Sequence, residues 1–183
     1  MRIHVMGPPG SGKTTLAQRL AHRLNMPFYE LDSIAWEKGY PGTDRPLEDR
    51  LHDVHNIAIQ PSWISEGIFL FWTDELLQEA DCLIWLDMPW HLIIRRVIAR
   101  RLDWSFRSGV TGENPPTDPL KQLQLLWYLA SYYLSKNQVE TRAFIARYLM
   151  KYQNKVIRCC HPSEVERVFI QLLEQEQGNV MQG

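Results

Sequence analysis

The chain has 183 residues, 45% of them hydrophobic and 22% charged, with a formal net charge of −1. These values describe one globular domain with a sizeable core, and the near-zero charge supplies no field to draw it onto nucleic acid or an anionic membrane. The chain lacks a run of about 18 apolar residues for a membrane span, its three cysteines include no CxxC pair, which points to a reducing cytoplasm rather than a disulfide or zinc framework, and its start enters an apolar strand instead of a secretory leader.

In chain order, Arg2–Met6 reads as a short buried strand, followed by a glycine-rich loop and a helix from Lys13 to about Leu24. Leu16, Leu20 and Leu24 recur at a spacing of four and give that helix a core-facing stripe. Pro27–Leu31 reads as a second strand, and the Gly-, Pro- and Asp-rich stretch from Glu37 to Pro46 as a loop. A polar helix over Leu47–Ile59 is stopped by Pro61, and Trp63–Ser65 begins a third strand. Thr73 is placed to cap a short helix reaching Ala80. Cys82–Leu86 is a fourth strand, and Pro89 opens a helix that carries Arg95, Arg96, Arg100 and Arg101 to about Leu102. Asp103–Pro119, with three prolines, two glycines and no periodicity, reads as a loop or lid. Helical pattern returns from Leu120 to about Tyr152, broken near Ser135–Gln138. Lys155–Cys160 reads as a fifth strand, Pro162 and Ser163 open a last helix to about Gln175, and the tail after Gly178 is expected to fray. Strands alternating with helices imply an α/β fold whose parallel sheet carries helices on both faces. Ligands of such sheets bind beyond the carboxyl ends of the strands.

The chemistry-bearing motif is the run after the first strand. Gly7, Gly12, Lys13 and Thr14 meet the pattern GxxxxGK(S/T), between an apolar strand and an amphipathic helix. Its glycines let backbone N–H groups converge on one anion, and the helix N-terminus adds partial positive charge. The nucleotide-binding residues expected here are Gly7, Pro8, Pro9, Gly10, Ser11, Gly12, Lys13, Thr14 and Thr15. The expected ligand is ATP with Mg²⁺, Lys13 reaching the β- and γ-phosphates and the Thr14 hydroxyl ligating the metal.

Polar groups at other strand ends narrow the phosphate chemistry. Asp32 follows the second strand, where a carboxylate can bind Mg²⁺ through water or accept a proton from an attacking hydroxyl. Glu66-Gly67 ends the third strand, the carboxylate suited to metal-bound water and the glycine to a substrate approaching the backbone. Trp36, in the loop after Asp32, can wall a substrate pocket. Arg96 and Arg100 are four apart on one helix face beside the lid, where guanidinium groups can neutralise a transferring phosphoryl group. Arg107 is a weaker candidate within the lid. Trp63, Trp85 and His4 are expected in the core, and Trp127, Tyr128, Tyr132 and Tyr133 fit either core or an interface.

The order of GPPGSGKTT, LDSIAW, WISEG, LIWLDMP and RRVIARR resembles the adenylate-kinase-related P-loop proteins, nearest to the group labelled DNA topology modulation (FlaR-like) proteins. The likeness covers the chain to about residue 102 and partly resumes at Lys155–Val168, where Cys160-His161-Pro162-Ser163 is similar to the adenine-side loop of these kinases. It implies a P-loop NTPase fold with five parallel strands in the order 2-3-1-4-5 and a short lid, and a kinase acting on a nucleotide or small hydroxyl-bearing substrate. Asp32 matches the position that shikimate- and gluconate-kinase-like relatives use for substrate or metal, and Arg96 and Arg100 match the arginine pair at the start of the adenylate kinase lid. The Asp-Gly-x-Pro-Arg run that follows the third strand of adenylate kinases is replaced here by Glu66-Gly67-Ile68-Phe69-Leu70. A nucleotide-dependent regulatory protein with little turnover is the competing expectation, separable by its insensitivity to Asp32→Asn.

Overall fold

The computed structural model describes residues 1–37, 43–99, 119–135 and 141–180. Five parallel strands, β1 (Arg2–Met6), β2 (Phe28–Glu30), β3 (Trp63–Glu66), β4 (Cys82–Leu86) and β5 (Val156–Cys159), form one sheet in the order β2-β3-β1-β4-β5. The expected architecture is therefore present. Between the strands run α1 (Lys13–Leu24), α2 (Leu31–Ala35), α3 (Leu47–Ala58), α4 (Asp74–Glu79), a helix α5 over 90–99, α6 (Pro119–Leu134) and α7 (Arg142–Leu149), and α8 (Pro162–Val180) closes the described chain.

Side-chain alternation along each strand splits the apolar residues into two layers. Ile3 and Val5, with Ile64, Ile84 and Leu86, face one core with Leu16, Leu20 and Phe169. Met6, Trp63, Leu83 and Trp85 face the other, which holds Leu31, Tyr132 and Ile145. Trp63 and Trp85 are thus core residues, as expected. Of the aromatic group on α6, Tyr132 is buried while Trp127 is exposed. Among the described residues, no helix is long and apolar enough to cross a membrane.

Three local expectations need correction. The second strand stops at Glu30, and Leu31 begins α2, because Leu31, Ile34 and Ala35 are buried at the i, i+3, i+4 spacing of a helix. Asp32 therefore rides on a helix fused directly to β2. Thr73 sits at the start of α4 but does not cap it; its hydroxyl donates back to the Phe69 carbonyl at 2.7 Å. The helical run expected to Tyr152 breaks after Leu134, where a break was expected, and α7 opens at Arg142 behind Thr141, whose hydroxyl accepts from the Phe144 amide at 3.3 Å; residues 136–140 lie outside the described residues. The last helix runs to Val180, past the expected end near Gln175. Arg100, Arg101, Arg107 and the expected lid up to residue 118 lie outside the described residues, and α6 takes up Pro119.

Two polar features sit inside the second core layer. His4 is fully buried on β1 and shares a 2.8 Å hydrogen bond with the Ser65 hydroxyl of β3. Burial lowers its pKa from 6.5 to about 4, against a smaller upward pull from the Gly67 backbone. Asp87, one residue past β4, has a side chain with 0% exposure and holds two guanidinium groups that are about half exposed. Arg142 Nε of α7 donates to it at 2.6 Å and Arg158 Nε of β5 at 2.8 Å. One carboxylate so fastens α7 to the sheet.

Two predictions follow from these groups. His4 binds its proton more weakly in the folded chain than in the unfolded one, so its contribution to stability is complete above pH 6.5 and is lost as pH falls toward about 4. Chemical denaturation across that window is expected to show a loss of roughly 3 kcal/mol that the His4→Gln variant does not share. Replacing Asp87 with Ala strands two arginines beside the core and is expected to cost roughly 2–3 kcal/mol, at or below the usual range for breaking a buried pair because the guanidinium groups keep some solvent; urea unfolding measures it.

Candidate functional site

The loop from Gly7 to Gly12 leaves the carboxyl end of β1 at the centre of the sheet. Two glycines are required by its path. Gly10 has φ 81° and Gly12 φ 98°, both in the left-handed region that side chains disfavour. A Cβ on Gly10 would also stand 2.9 Å from a Val97 methyl, so the outer turn of the loop packs directly on α5. Ser11 N–H closes a turn onto the Pro8 carbonyl at 3.1 Å, and Gly12 stands at the N-terminus of α1. The Ser11 hydroxyl is buried with no protein partner.

Lys13 and Thr14, the first two residues of α1, both turn to Glu66. Thr14 Oγ1 donates to Glu66 Oε1 at 2.9 Å, and Lys13 Nζ lies 3.5 Å from Oε2, an ion pair rather than a well-formed hydrogen bond. The Glu66 side chain is only 3% exposed. Burial raises its pKa above the ordinary carboxylate value, Lys13 and the Thr14 hydroxyl oppose that rise, and the nearby Asp32 charge adds to it. Arg96 of α5 donates from Nη1 to the Ser11 carbonyl at 2.9 Å, clamping the loop from outside.

These groups border a cleft of about 650 Å³. Pro9 through Leu16 form its floor, with Asp32 and Arg96 on its walls. At its far end stand Arg19 of α1 and Pro162, Val165 and Glu166 of α8. The structure thus brings together Lys13, Thr14, Thr15, Asp32 and Arg96, with Glu66 directly beneath. Gly7 lies below the cleft, where a Cβ would meet the Leu86 carbonyl at 2.9 Å. Trp36 and Gly67 stand outside its lining. The Trp36 ring meets Phe69 edge-on at 6.1 Å, and the space beside Gly67 is filled by Leu31 Cβ at 2.9 Å, so this glycine serves the close packing of α2 on β3. Arg100, expected to pair with Arg96, lies outside the described residues.

The donor set suits Mg²⁺. Thr14, Glu66 and Asp32 offer only oxygen atoms, and Glu66 Oε2 is buried without a hydrogen-bond donor. Among the described residues no group of three or more His, Cys, Asp or Glu could cage a metal, so a cation here would be shared with phosphate oxygens, the usual situation for Mg²⁺.

Two polar clusters escaped sequence reading. The Arg19–Glu166 pair joins residues 147 positions apart, and nothing local signals it. Asp87 did carry a signal: it directly follows the most apolar strand, at the carboxyl edge of the sheet.

Residues 3–106, more than half of the chain, match the family model described as an AAA domain. The chain belongs to the AAA domain family. It is 30% identical over 145 residues to threonine synthase-like 1 of Mus musculus, a match covering 69% of this chain and 19% of that protein. It is also 30% identical over 127 residues to the cytidylate kinase of Methanosphaerula palustris, covering 62% of this chain and 66% of the relative. The matches thus span less than two thirds of either relative. Over its whole length the fold is similar to that of a shikimate kinase from Bacteroides thetaiotaomicron, with a TM-score of 0.51, 18% identity and coverage of 97% of this chain and 98% of the other.

In this AAA-domain protein Glu66 is the carboxylate best placed to orient a cation. Glu66→Gln preserves shape while removing the charge, and is expected to weaken Mg²⁺-dependent nucleotide binding about tenfold, within the range for lost outer-shell metal partners. Calorimetric titration of nucleotide with Mg²⁺ and with EDTA checks this, since the metal-free affinity should not fall.

Proposed function

We propose that the protein is a small-molecule phosphotransferase that moves the γ-phosphoryl group of ATP·Mg²⁺ to a nucleotide or a small hydroxyl-bearing acceptor. The observation that carries this reading is the convergence of Lys13, Thr14 and Glu66 on one side of the phosphate loop, with Asp32 and Arg96 facing the same cleft. A loop built only to bind nucleotide has no need of a second carboxylate, Asp32, in the same cleft. The cytidylate kinase relative supports the same class of chemistry.

The loop N–H groups receive the triphosphate, and Lys13 leaves Glu66 for the β- and γ-phosphate oxygens. Thr14 and, through water, Glu66 would hold Mg²⁺, which would supply neutralisation of the phosphate charge. Asp32 accepts the proton of the acceptor hydroxyl as its oxygen forms a bond to the γ-phosphorus. The bond from that phosphorus to the β,γ-bridging oxygen breaks, and ADP leaves with the electron pair. Arg96 keeps the loop in register and, with Arg100 on the same expected helix face, offsets charge on the moving group.

The test is a coupled ADP-release assay over nucleosides, nucleotides, sugars and polyol acids, with at least one acceptor expected to raise ADP production well above background. Binding of ATP with no acceptor-dependent release across that panel overturns the kinase reading and leaves a nucleotide-dependent binding protein. With an acceptor in hand, Asp32→Asn is expected to lower turnover about 10²–10⁴-fold while ATP affinity stays within about twofold.

A further inference from the structure

The far end of the cleft holds an arrangement that phosphate chemistry does not use. Arg19 lies six residues beyond Lys13 on α1, about 9 Å along the helix axis, past the stretch that a triphosphate chain occupies. Its guanidinium covers the Phe169 ring, 4.1 Å from the centroid. Its edge is clamped by Glu166, which accepts from Nη1 at 2.9 Å and from Nη2 at 2.8 Å. The Arg19 side chain is still 43% exposed, and it lines the same cleft as the phosphate loop, with Pro162 and Val165 beside it. One face of the cation is backed by an aromatic ring, one N–H of each Nη is taken by Glu166, and the side chain borders the cleft.

We infer that Arg19, held flat by Phe169 and Glu166, is the stacking platform for the base of the bound nucleotide, a role that rests on the nucleotide-binding reading of the loop. Two physical points select a neutral ring over a further phosphate. The Glu166 carboxylate takes two of the five N–H donors of the guanidinium and repels an anion placed beside them. A planar guanidinium with one covered face stacks well on π-systems, whereas a point cation does not. Stacking also reads area rather than the pattern of donors and acceptors, so this platform favours purines over pyrimidines and separates adenine from guanine poorly.

The experiment compares Mg·ATP with Mg·tripolyphosphate, which has the phosphates and no base. Both are titrated calorimetrically into the full chain as wild type, Arg19→Ala and Arg19→Lys, with thermal melts to confirm that each variant folds. Arg19→Ala is expected to weaken ATP about fivefold, the scale of one cation–π contact, with tripolyphosphate changed less than about twofold. Arg19→Lys keeps the charge and loses the plane, so it should reproduce most of the ATP-specific loss. Equal losses for both ligands, unchanged ATP affinity in Arg19→Ala, or full rescue by lysine would each overturn the platform while leaving the phosphate loop intact. Wild-type protein that binds neither ligand would overturn the nucleotide reading itself, and the platform with it.

Discussion

Val5 lies opposite Glu66 in the parallel ladder between β1 and β3, and the Gly67 amide donates to the Val5 carbonyl at 3.1 Å. That register sets where the β3 carboxylate stands relative to the loop that leaves β1. Strand side chains alternate between faces, so a slip of one residue would send Glu66 to the other side of the sheet, away from Lys13 and Thr14. A carboxylate this deeply buried is costly unless a cation and a donor meet it, and in this fold both come from the first turn of α1. The central position of β1, paired with β3 on one side and β4 on the other, leaves the strand no freedom to shift. The positions of the loop, of α1 and of the cleft above them follow from that pairing.

The same logic operates one strand away. Asp87 directly follows β4 and gathers Arg142 from α7 and Arg158 from β5, while the Tyr133 hydroxyl of α6 donates to the carbonyl of Met88. Three elements distant in sequence are therefore organised by two consecutive residues at a strand end. Arg158 also lies over the Trp85 ring, 4.9 Å from its centroid, so the cluster joins the apolar layer beneath it to the polar edge above. On the opposite face Arg19 and Glu166 tie α1 to α8. Charged side chains thus mark the places where helices must keep a fixed relation to the cleft.

Much of this was legible in the sequence because it is local or periodic. The phosphate loop is contiguous, its glycines answer to torsion angles within a few residues, and the strand-end position of Glu66 follows from the apolar run just before it. The order of elements and the class of sheet were readable for the same reason. What escaped depends on distance or on competition. Leu31 is apolar and continues a strand-like run, yet packing of Leu31, Ile34 and Ala35 at helical spacing decided its conformation. Thr73 has the chemistry of a cap, but its hydroxyl found the Phe69 carbonyl first. Arg19 reads as an ordinary surface charge until α8 brings Glu166 and Phe169 against it. Gly67 invited a functional reading, and the Leu31 side chain supplies a packing one.

The pairing of Lys13 with Glu66 has a consequence for ligand selection. Lys13 cannot move onto a phosphate without withdrawing the cation nearest a carboxylate that has almost no water to turn to. A bare anion such as inorganic phosphate or sulfate therefore leaves an uncompensated buried charge behind it. A ligand that arrives with its own divalent cation replaces the positive charge it displaces. The loop is in this sense self-occupied at rest, and on the proposed function it would discriminate between ion pairs and lone anions before any part of the ligand beyond its phosphates had been read.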